Sequence, residues 1–461
     1  MRKFVWLLLL LGVSSLPTAA ADSAWVRRGG VERQGRFWIE VDQCSVPVKP
    51  GGRLVLRADL GSVMVLPVAI DQVRCQVKLT AYTPSEAEAR SSFARTALGV
   101  RPLGIDSAYL ELRHPDQELP FRRTDAVISL QVPRHFNLDI ETQGGGIQVA
   151  GLDGELRAVT AGGDIRTGDL AGPVRAQTAG GDIDLGNINQ RVEAHTAGGS
   201  IRVGDVQGDA FLGTRGGEIV AGRITGTVHA DTAAGDIMLR AVSGQVDAQS
   251  AGGQIQLGQC GGAVHAATAA GSIHLDGARG RVVAQTAGGS IDLLQLMGAV
   301  RAETNAGHIL AQIDANRDSF GASSLQSAVG DVQVYLPPDL PLTVKAMIDT
   351  AAGHSISSDF PLVVQHAHPG ELGLGPMQGS AALSGGGAPL SLRTSLGNIE
   401  ILKLNPEALV RLKAYQASFW RSWQEQLKEQ QLRVDRMQKA LEEQQQRAEQ
   451  LEKAMEAGSP P

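Results

Sequence analysis

The stretch Gly172 to Asn189, G-P-V-R-A-Q-T-A-G-G-D-I-D-L-G-N-I-N, decides the fold because the chain repeats it at one fixed interval. Its Ile183 belongs to a series, Ile147, Ile165, Ile183, Ile201, Ile219, Ile237, Ile255, Ile273, Ile291 and Ile309, with members 18 residues apart. A glycine stands two residues before every member, from Gly145 to Gly307. A threonine stands five before, from Thr142 to Thr304, with Ser250 as the single replacement. A strict period of this length marks units that bury their apolar faces only by stacking on one another. Within the quoted unit Val174 and Ala176, then Ile183 and Leu185, alternate with other residues as in half-buried strands. Each coil therefore carries two short strands, and glycines at both turns, Gly172 and Gly181, favour a flat, two-faced coil.

Working outward, Leu54, Leu56, Ala58, Gly61, Val63 and Val65 already show the spacing of a coil, so the solenoid begins before the regular array. Phe37 to Val41, Val73 to Tyr82, Ala108 to Arg113 and Asp125 to Val132 read as further strands. Between them Thr83-Pro84-Ser85-Glu86 supplies a cap, a first-turn proline and a glutamate, predicting a helix to about Leu98. Beyond Ala311 the period loosens: Leu325 to Val334 and Ala346 to Gly353 read as degenerate coils, and Leu390 to Ile401 as a last good one. Asn405-Pro406-Glu407 then opens a long helix to about Met455, with no further proline or glycine. Trp420, Leu427, Val434, Leu441 and Ala448 recur there every seven residues, which are coiled-coil positions, although Gln430 and Gln444 weaken the seam. Its first turns, with Leu409, Leu412 and Phe419, are placed over the solenoid's open end, where unpaired strand edges need cover.

The fold class that follows is all-β: a single-stranded parallel β-solenoid (β-helix) with 18-residue coils, a small helical insertion and a long C-terminal α-helix. Its divisions are 1–21, a signal peptide; 22–137, the solenoid start with the insertion; 138–314, the regular array; 315–404, irregular coils; and 405–461, the helix and tail. The signal reading rests on Arg2 and Lys3, an apolar run from Phe4 to Val13, and the small residues Ala19-Ala20-Ala21. The protein is therefore expected to be exported to the periplasm, cell surface or medium, with no transmembrane segment after signal removal. The 56 glycines are in phase with the repeat, which separates the chain from a low-complexity linker. A net charge of -6 with dispersed basic residues argues against a nucleic-acid partner.

Function is weighed on the outward columns, because the interior pairs a large residue (Leu156, Val174, Val192) with a small one (Ala158, Ala176, Ala194) and leaves no space for a ligand. His229, Asp247 and His265 share one outward column on successive coils, about 4.8 Å apart per step, and are candidate ligands for a divalent metal. Arg175 and Glu193 occupy the same column, so a solvated ladder of mixed charge is the expected reading and no metal is assigned. Asp164 and Asp182 stack likewise, and repel unless something bridges them. Calcium loading of the G-G-x-G-x-D type is not expected, because the residue after Gly-Gly varies through Asp182, Ser200, Glu218 and Gln254. Phe211 is the lone aromatic between Gly145 and Ile309; set between Ala210 and Leu212, it predicts a local irregularity of register. The threonine hydroxyls are expected to hydrogen-bond along the array, and no histidine is in phase to activate them. Cys260 falls in a column of Leu170, Ile188, Val206 and Ile224 and is read as core, while Cys44 and Cys75 either pair as a disulfide or remain buried thiols. No catalytic residue and no cofactor is assigned.

Several motifs stand outside the simple repeat: V-P-R-H-F-N-L-D-I-E-T-Q-G-G-G-I-Q-V (Val132 to Val149), D-T-A-A-G-H-S-I-S-S-D-F-P-L (Asp349 to Leu362) and L-R-T-S-L-G-N-I-E-I (Leu392 to Ile401). Together with the T-A-G-G-D-I coils they resemble the bacterial putative-adhesin family, a domain of unknown function with a β-helical fold, from Arg36 to Leu404. The resemblance implies an adhesin-type architecture and carries no catalytic residues; the C-terminal helix lies outside it. The expectation is a non-enzymatic scaffold or adhesin of the cell surface or envelope, self-associating through 405–455. Ten isoleucines in strict register leave no room for the long loops that wall a glycosidase groove. The alternative, a protein that binds or degrades polysaccharide, requires a groove at Thr83 to Pro120 or Gly370 to Gly387.

Overall fold

A computed structural model describes residues 23–114, 124–316, 319–366, 375–419 and 432. The signal at 1–21 and the heptad positions from Trp420 onward lie outside the described residues. The alternation read from the sequence appears as two stacked faces of parallel strands. On one face the strands Asn137–Thr142, Leu156–Thr160, Val174–Thr178 and their successors to Val300–Ala306 pair with an offset of 18, Leu156 opposite Val174 and Val174 opposite Val192. On the other, Ile147–Val149, Ile165–Thr167, Ile183–Leu185 and successors to Ile309–Ile313 pair the same way. All ten isoleucines have 0% exposure, so the period is a burial period.

The turn between the faces explains its residues. A Cβ on Gly181 would lie 2.3 Å from the carbonyl oxygen of Gly163 in the preceding coil, so only glycine allows the coils to close to strand spacing. The threonine Oγ1 donates along the stack, Thr178 to the Gly163 carbonyl and Thr196 to that of Gly181, at 2.8 and 2.9 Å. Thr178 Oγ1 also accepts from its own coil's Gly181 N–H at 3.2 Å. The ladder thus runs from hydroxyl to backbone.

The other turn adds a detail beyond the flat coil. Leu152, Leu170, Ile188, Val206 and Ile224 form a column of single-residue parallel bridges, a narrow third side. There the carboxylate or amide oxygens of Asp169, Asn187 and Asp205 accept the backbone N–H of the next coil's Asn187, Asp205 and Arg223. Side-chain acceptors of this kind compete with the strand ladder and break it. From Arg223 on the column holds no Asp or Asn, and the strands lengthen to six residues, as in Ile219–Ile224 and Ile237–Val242.

Both ends depart from chain order. At the N-terminal end the coil Arg53–Ala58 and Ser62–Val68 lies against the array, and the later coil Ser107–Arg113 and Thr124–Pro133 lies outside it. At the other end Leu342–Ile348 and Ile356–Ser358 lie outside, while the later Ala388–Leu396 and Ile399–Lys403 slip between them and the array. The two ends are thus mirror images in order, a topology that the irregular period does not reveal. Antiparallel strands cover the outermost edges: Gln72–Ala81, Phe37–Pro47 and the short Trp25–Arg27 and Glu32–Gln34 at one end, Met377–Leu383 and Val363–His366 at the other. Short antiparallel edges are a usual protection against end-to-end pairing.

Two helical expectations need correction. The insertion helix α1 spans Glu86–Arg95, and its cap is Ser85, whose hydroxyl accepts from the Glu88 N–H, rather than Thr83. The S-x-x-E of Ser85 and Glu88 starts the helix beyond Pro84, and residues from Ala97 are taken into the strand Ala97–Leu103. The C-terminal helix, described over 406–419 and capped by Asn405 Oδ1 on the Ala408 N–H, does not close the open end. It turns back along the outward side of the isoleucine face, burying Ala408 and Leu412 against Leu294 and Tyr335. The outermost reversed coil and its antiparallel strands already occupy that end, so the apolar face of the helix takes the apolar stripe beside it.

Candidate functional site

The metal candidates are brought together as adjacent rungs. Val228–Thr232, Val246–Ser250 and Val264–Thr268 place His229, Asp247 and His265 side by side. Asp247 sits between the rings, Oδ2 3.1 Å from His229 Nδ1 and Oδ1 2.9 Å from His265 Nδ1, with Gln249 Nε2 donating to Oδ1 at 3.1 Å. His229 Nε2 lies 2.7 Å from Asp231. Burial works against the charge on Asp247, but the hydrogen bonds from His265 and Gln249 and the two imidazoles outweigh it and hold the carboxyl below its usual range. Both Nδ1 atoms already face carboxylate oxygens, and among the described residues no group of three or more His, Cys, Asp or Glu is arranged to hold a metal ion.

The stacked aspartates are held by protein donors. Asp164 Oδ1 accepts the Asp182 N–H at 2.9 Å and its Oδ2 pairs with Arg166 at 2.6 Å, while Asp182 Oδ1 accepts the Ser200 N–H at 2.8 Å. Phe211 corrects an expectation: the register runs through it unbroken, with Glu193 on one side and His229 on the other. Its coil exchanges the large and small core positions, Ala210 before Leu212, and the Arg191 guanidinium caps the ring at 4.5 Å. Cys44 and Cys75 stand directly opposite on antiparallel strands, Cα atoms 4.9 Å apart, and are joined as a disulfide. Cys260 is 3% exposed between Val242 and Ala278, and burial, then the Asp276 charge, pushes its thiol up to about 12.

Two further features bear on function, one open to solvent and one covered. A trough of about 770 Å³ follows the threonine turn over six coils, lined by Ala233, Ala251, Ala269 and Ala287 with Asp231, Gln249, Gln285 and Glu303. The segments named above for an enzyme groove do not share it. The described part of one stands at the N-terminal end of the stack and that of the other at the C-terminal end. With two coils before the regular ten and three after, the ends are on the order of 65 Å apart at strand spacing.

The second, a covered cluster, is one that sequence reasoning missed. Beneath the C-terminal helix, His274, Asp276 and Asp292 are outward residues, yet 3, 5 and 4% exposed. Tyr415 donates to Asp292 at 3.0 Å, His308 Nε2 lies 3.2 Å from the same carboxylate, and Phe419 stacks on His274 with centroids 3.8 Å apart. His274 Nε2 lies 3.0 Å from Asp276, and its Nδ1 is buried without a partner. Burial and the nearby Asp292 carboxylate push the Tyr415 hydroxyl well above the usual phenol range. The change from Gln148, Arg166 and Asp184 to Val220, Met238 and Leu310 along one outward column was the available signal.

No family model and no curated protein matches the chain. Two similar solved structures are a putative cell adhesion protein from Clostridium sporogenes, 9% identical over 78% of this chain and 98% of that one with a TM-score of 0.17, and a putative adhesin from Bacteroides fragilis, 11% identical over 78% and 97% with a TM-score of 0.15. At such values the likeness bears on neither ligand nor partner. No described helix is long and apolar enough to cross a membrane.

Proposed function

We propose that the protein is an exported, non-enzymatic β-solenoid that presents a long rigid surface for adhesion or envelope scaffolding and self-associates through its C-terminal segment. The observation that supports this reading best is the unbroken offset of 18 over ten coils, which sets every outward column at strand pitch along one face. Such a surface offers repeated weak contacts to an extended partner, where multivalency supplies affinity that no single site has. The Cys44–Cys75 disulfide fits an oxidising compartment. Sedimentation of the mature chain against one lacking residues 433–461 tests the assembly part, since that cut keeps the described turns of the helix. Self-association that disappears with the segment supports the reading; a monomer in both removes it.

A second reading, polysaccharide binding, is favoured by the trough over Thr214 to Asn305, whose lining repeats once per coil. Titration of envelope polysaccharide into the protein, with Gln285→Ala and Gln249→Ala as controls, decides between them: binding weakened several-fold by either change favours the glycan reading.

A further inference from the structure

Charge is divided unevenly along the stack. Residues 23–114, which build the N-terminal end, hold 13 Lys and Arg against nine Asp and Glu, whereas the array over 138–314 holds 11 against 19. Two of those nine acids, Glu40 and Asp42, are buried on the side of their strand covered by α1 and Ala97–Leu103, so the solvent side of this end is more basic still. The outward column of Gln148 continues through Met64, Ser129, Gln76 and Gln43 to Arg27, each opposite the next. On one side of it stand Arg74, Ser45 and Trp25, on the other Val127, Lys78 and Val41. Ile39 and Phe37 follow on the same side of their strand, and Tyr82 meets Phe37 edge to face with ring centroids 4.9 Å apart. Among the described residues, the three aromatic side chains most open to solvent all lie on this face: Trp25, Phe37 and Tyr82, at 43, 38 and 50%. The acids of the face are Glu32, opposite Ile39, and Asp125, opposite Thr80.

We propose that this face docks on a lipid surface with anionic headgroups and so holds the rod by its N-terminal end. Exposed rings and Val127 beside Arg27, Arg74 and Lys78 have the composition of an interfacial contact, with aromatic side chains at headgroup level and cations on the phosphates. Sugar stacking fits the face less well. The Arg27 guanidinium already lies over Trp25 at 5.9 Å from the ring centroid, and Phe37 and Tyr82 engage each other. The excess of acid along the array is repelled by the same headgroups, so electrostatics selects this end over the rest of the rod. Bulk acts in the same sense. The helix over 406–419 lies on the same outward side farther along the stack, and a helix is about 10 Å thick, so it holds the other end off the surface. The rod then stands out from the lipid with the columns of the array open to a partner. This goes beyond the adhesion reading by naming the anchored end, and it uses no self-association, so either can fail without the other.

The test is co-sedimentation of the full mature chain with vesicles of phosphatidylcholine alone and of phosphatidylcholine mixed with phosphatidylglycerol. Binding is expected to the anionic vesicles only. Arg27→Glu with Lys78→Glu is expected to weaken it about ten-fold or more, and Trp25→Ser with Tyr82→Ser several-fold, while Arg301→Glu in the array leaves it unchanged. Should either paired variant fail to fold by circular dichroism, Lys78→Gln alone, at an exposed side chain, is expected to cost about five-fold. No binding to the anionic vesicles, equal binding to both compositions, or an equal loss from Arg301→Glu overturns the proposal. Soluble polyglutamate that binds as tightly as the anionic vesicles assigns the face to an acidic polypeptide and overturns it as well.

Discussion

Glu40 and Asp42 show what a single residue obeys. On Phe37–Pro47 the apolar alternation of Phe37, Ile39 and Val41 suggests that these face the core, yet Phe37 is 38% exposed while Glu40 and Asp42 are 7% and 2% exposed. The strand belongs to the antiparallel extension, where α1 and Ala97–Leu103 cover its other side. Asp42 accepts the Gly29 N–H at 3.0 Å, but Glu40 Oε1 is buried without a partner. Burial, then the Asp42 charge, raises the Glu40 carboxyl above its usual range, against the pull of Arg28 and Arg90. A carboxyl raised on folding contributes stability that is present below its unfolded value and lost as pH rises through the folded one. Glu40→Gln is therefore expected to gain about 1 kcal/mol at pH 7, with the gain shrinking toward pH 4. Denaturant melts of both proteins across that range check it, and parallel pH profiles would refute it.

At the scale of the element, the C-terminal helix is held by a mixed contact, Tyr415 on Asp292 and Phe419 on His274, and Asp292 is shared with His308 on the next coil. The hydrogen bond with Asp292 raises His308, burial opposes this, and the charges of Asp292 and Asp331 add to the rise. The His308 contribution is fully present below its unfolded value of about 6.5 and is lost as pH rises through the higher folded value. His308 also touches Ser290, and its side chain is 51% exposed, so solvent limits the effect to less than about 1 kcal/mol. His308→Gln is expected to loosen the helix at pH 6 and to change nothing near pH 8.5, read from proteolytic release of the C-terminal segment. Equal release by variant and wild type at pH 6 would show that the contact holds nothing. Helix periodicity was legible in the sequence, and so was the apolar change in the outward column at Leu310; the landing of the helix there was not, because no period joins Tyr415 to Asp292 or Leu412 to Leu294.

At the scale of the molecule, the reversed coils behave as caps. The last coil stacks on Ser323–Val329 and Val332–Leu336 with an offset of 67 instead of 18, because an outer coil and two antiparallel strands are inserted before it. Deleting residues 338–386 restores the offset of the array and joins Pro337 to Gly387 with a turn of ordinary length. The shortened chain is expected to fold with its array intact and to associate end to end through the bared edges of Ala388–Leu396 and Ile399–Lys403. Circular dichroism with light scattering checks this: strand content kept with concentration-dependent growth is the expected result, and a stable monomer would show that the outer coil is not a cap.

The sequence by itself determined the coil, its length, its inward columns and its turns, since each depends on contacts between residues one period apart, and a neighbour at a fixed offset is visible as a repeat. It also singled out His229, Asp247 and His265 as neighbours, and left Cys44 and Cys75 as either a disulfide or two buried thiols, which the facing strands then decided. Only the tertiary structure decided the order of the end coils, the burial of Glu40, the unbroken register at Phe211 and the path of the helix over His274 and Asp292. These contacts join segments with no common offset, Tyr415 with Asp292 across 123 residues or Ser323 with Leu390 across 67, and a pairing that occurs once leaves no period to read.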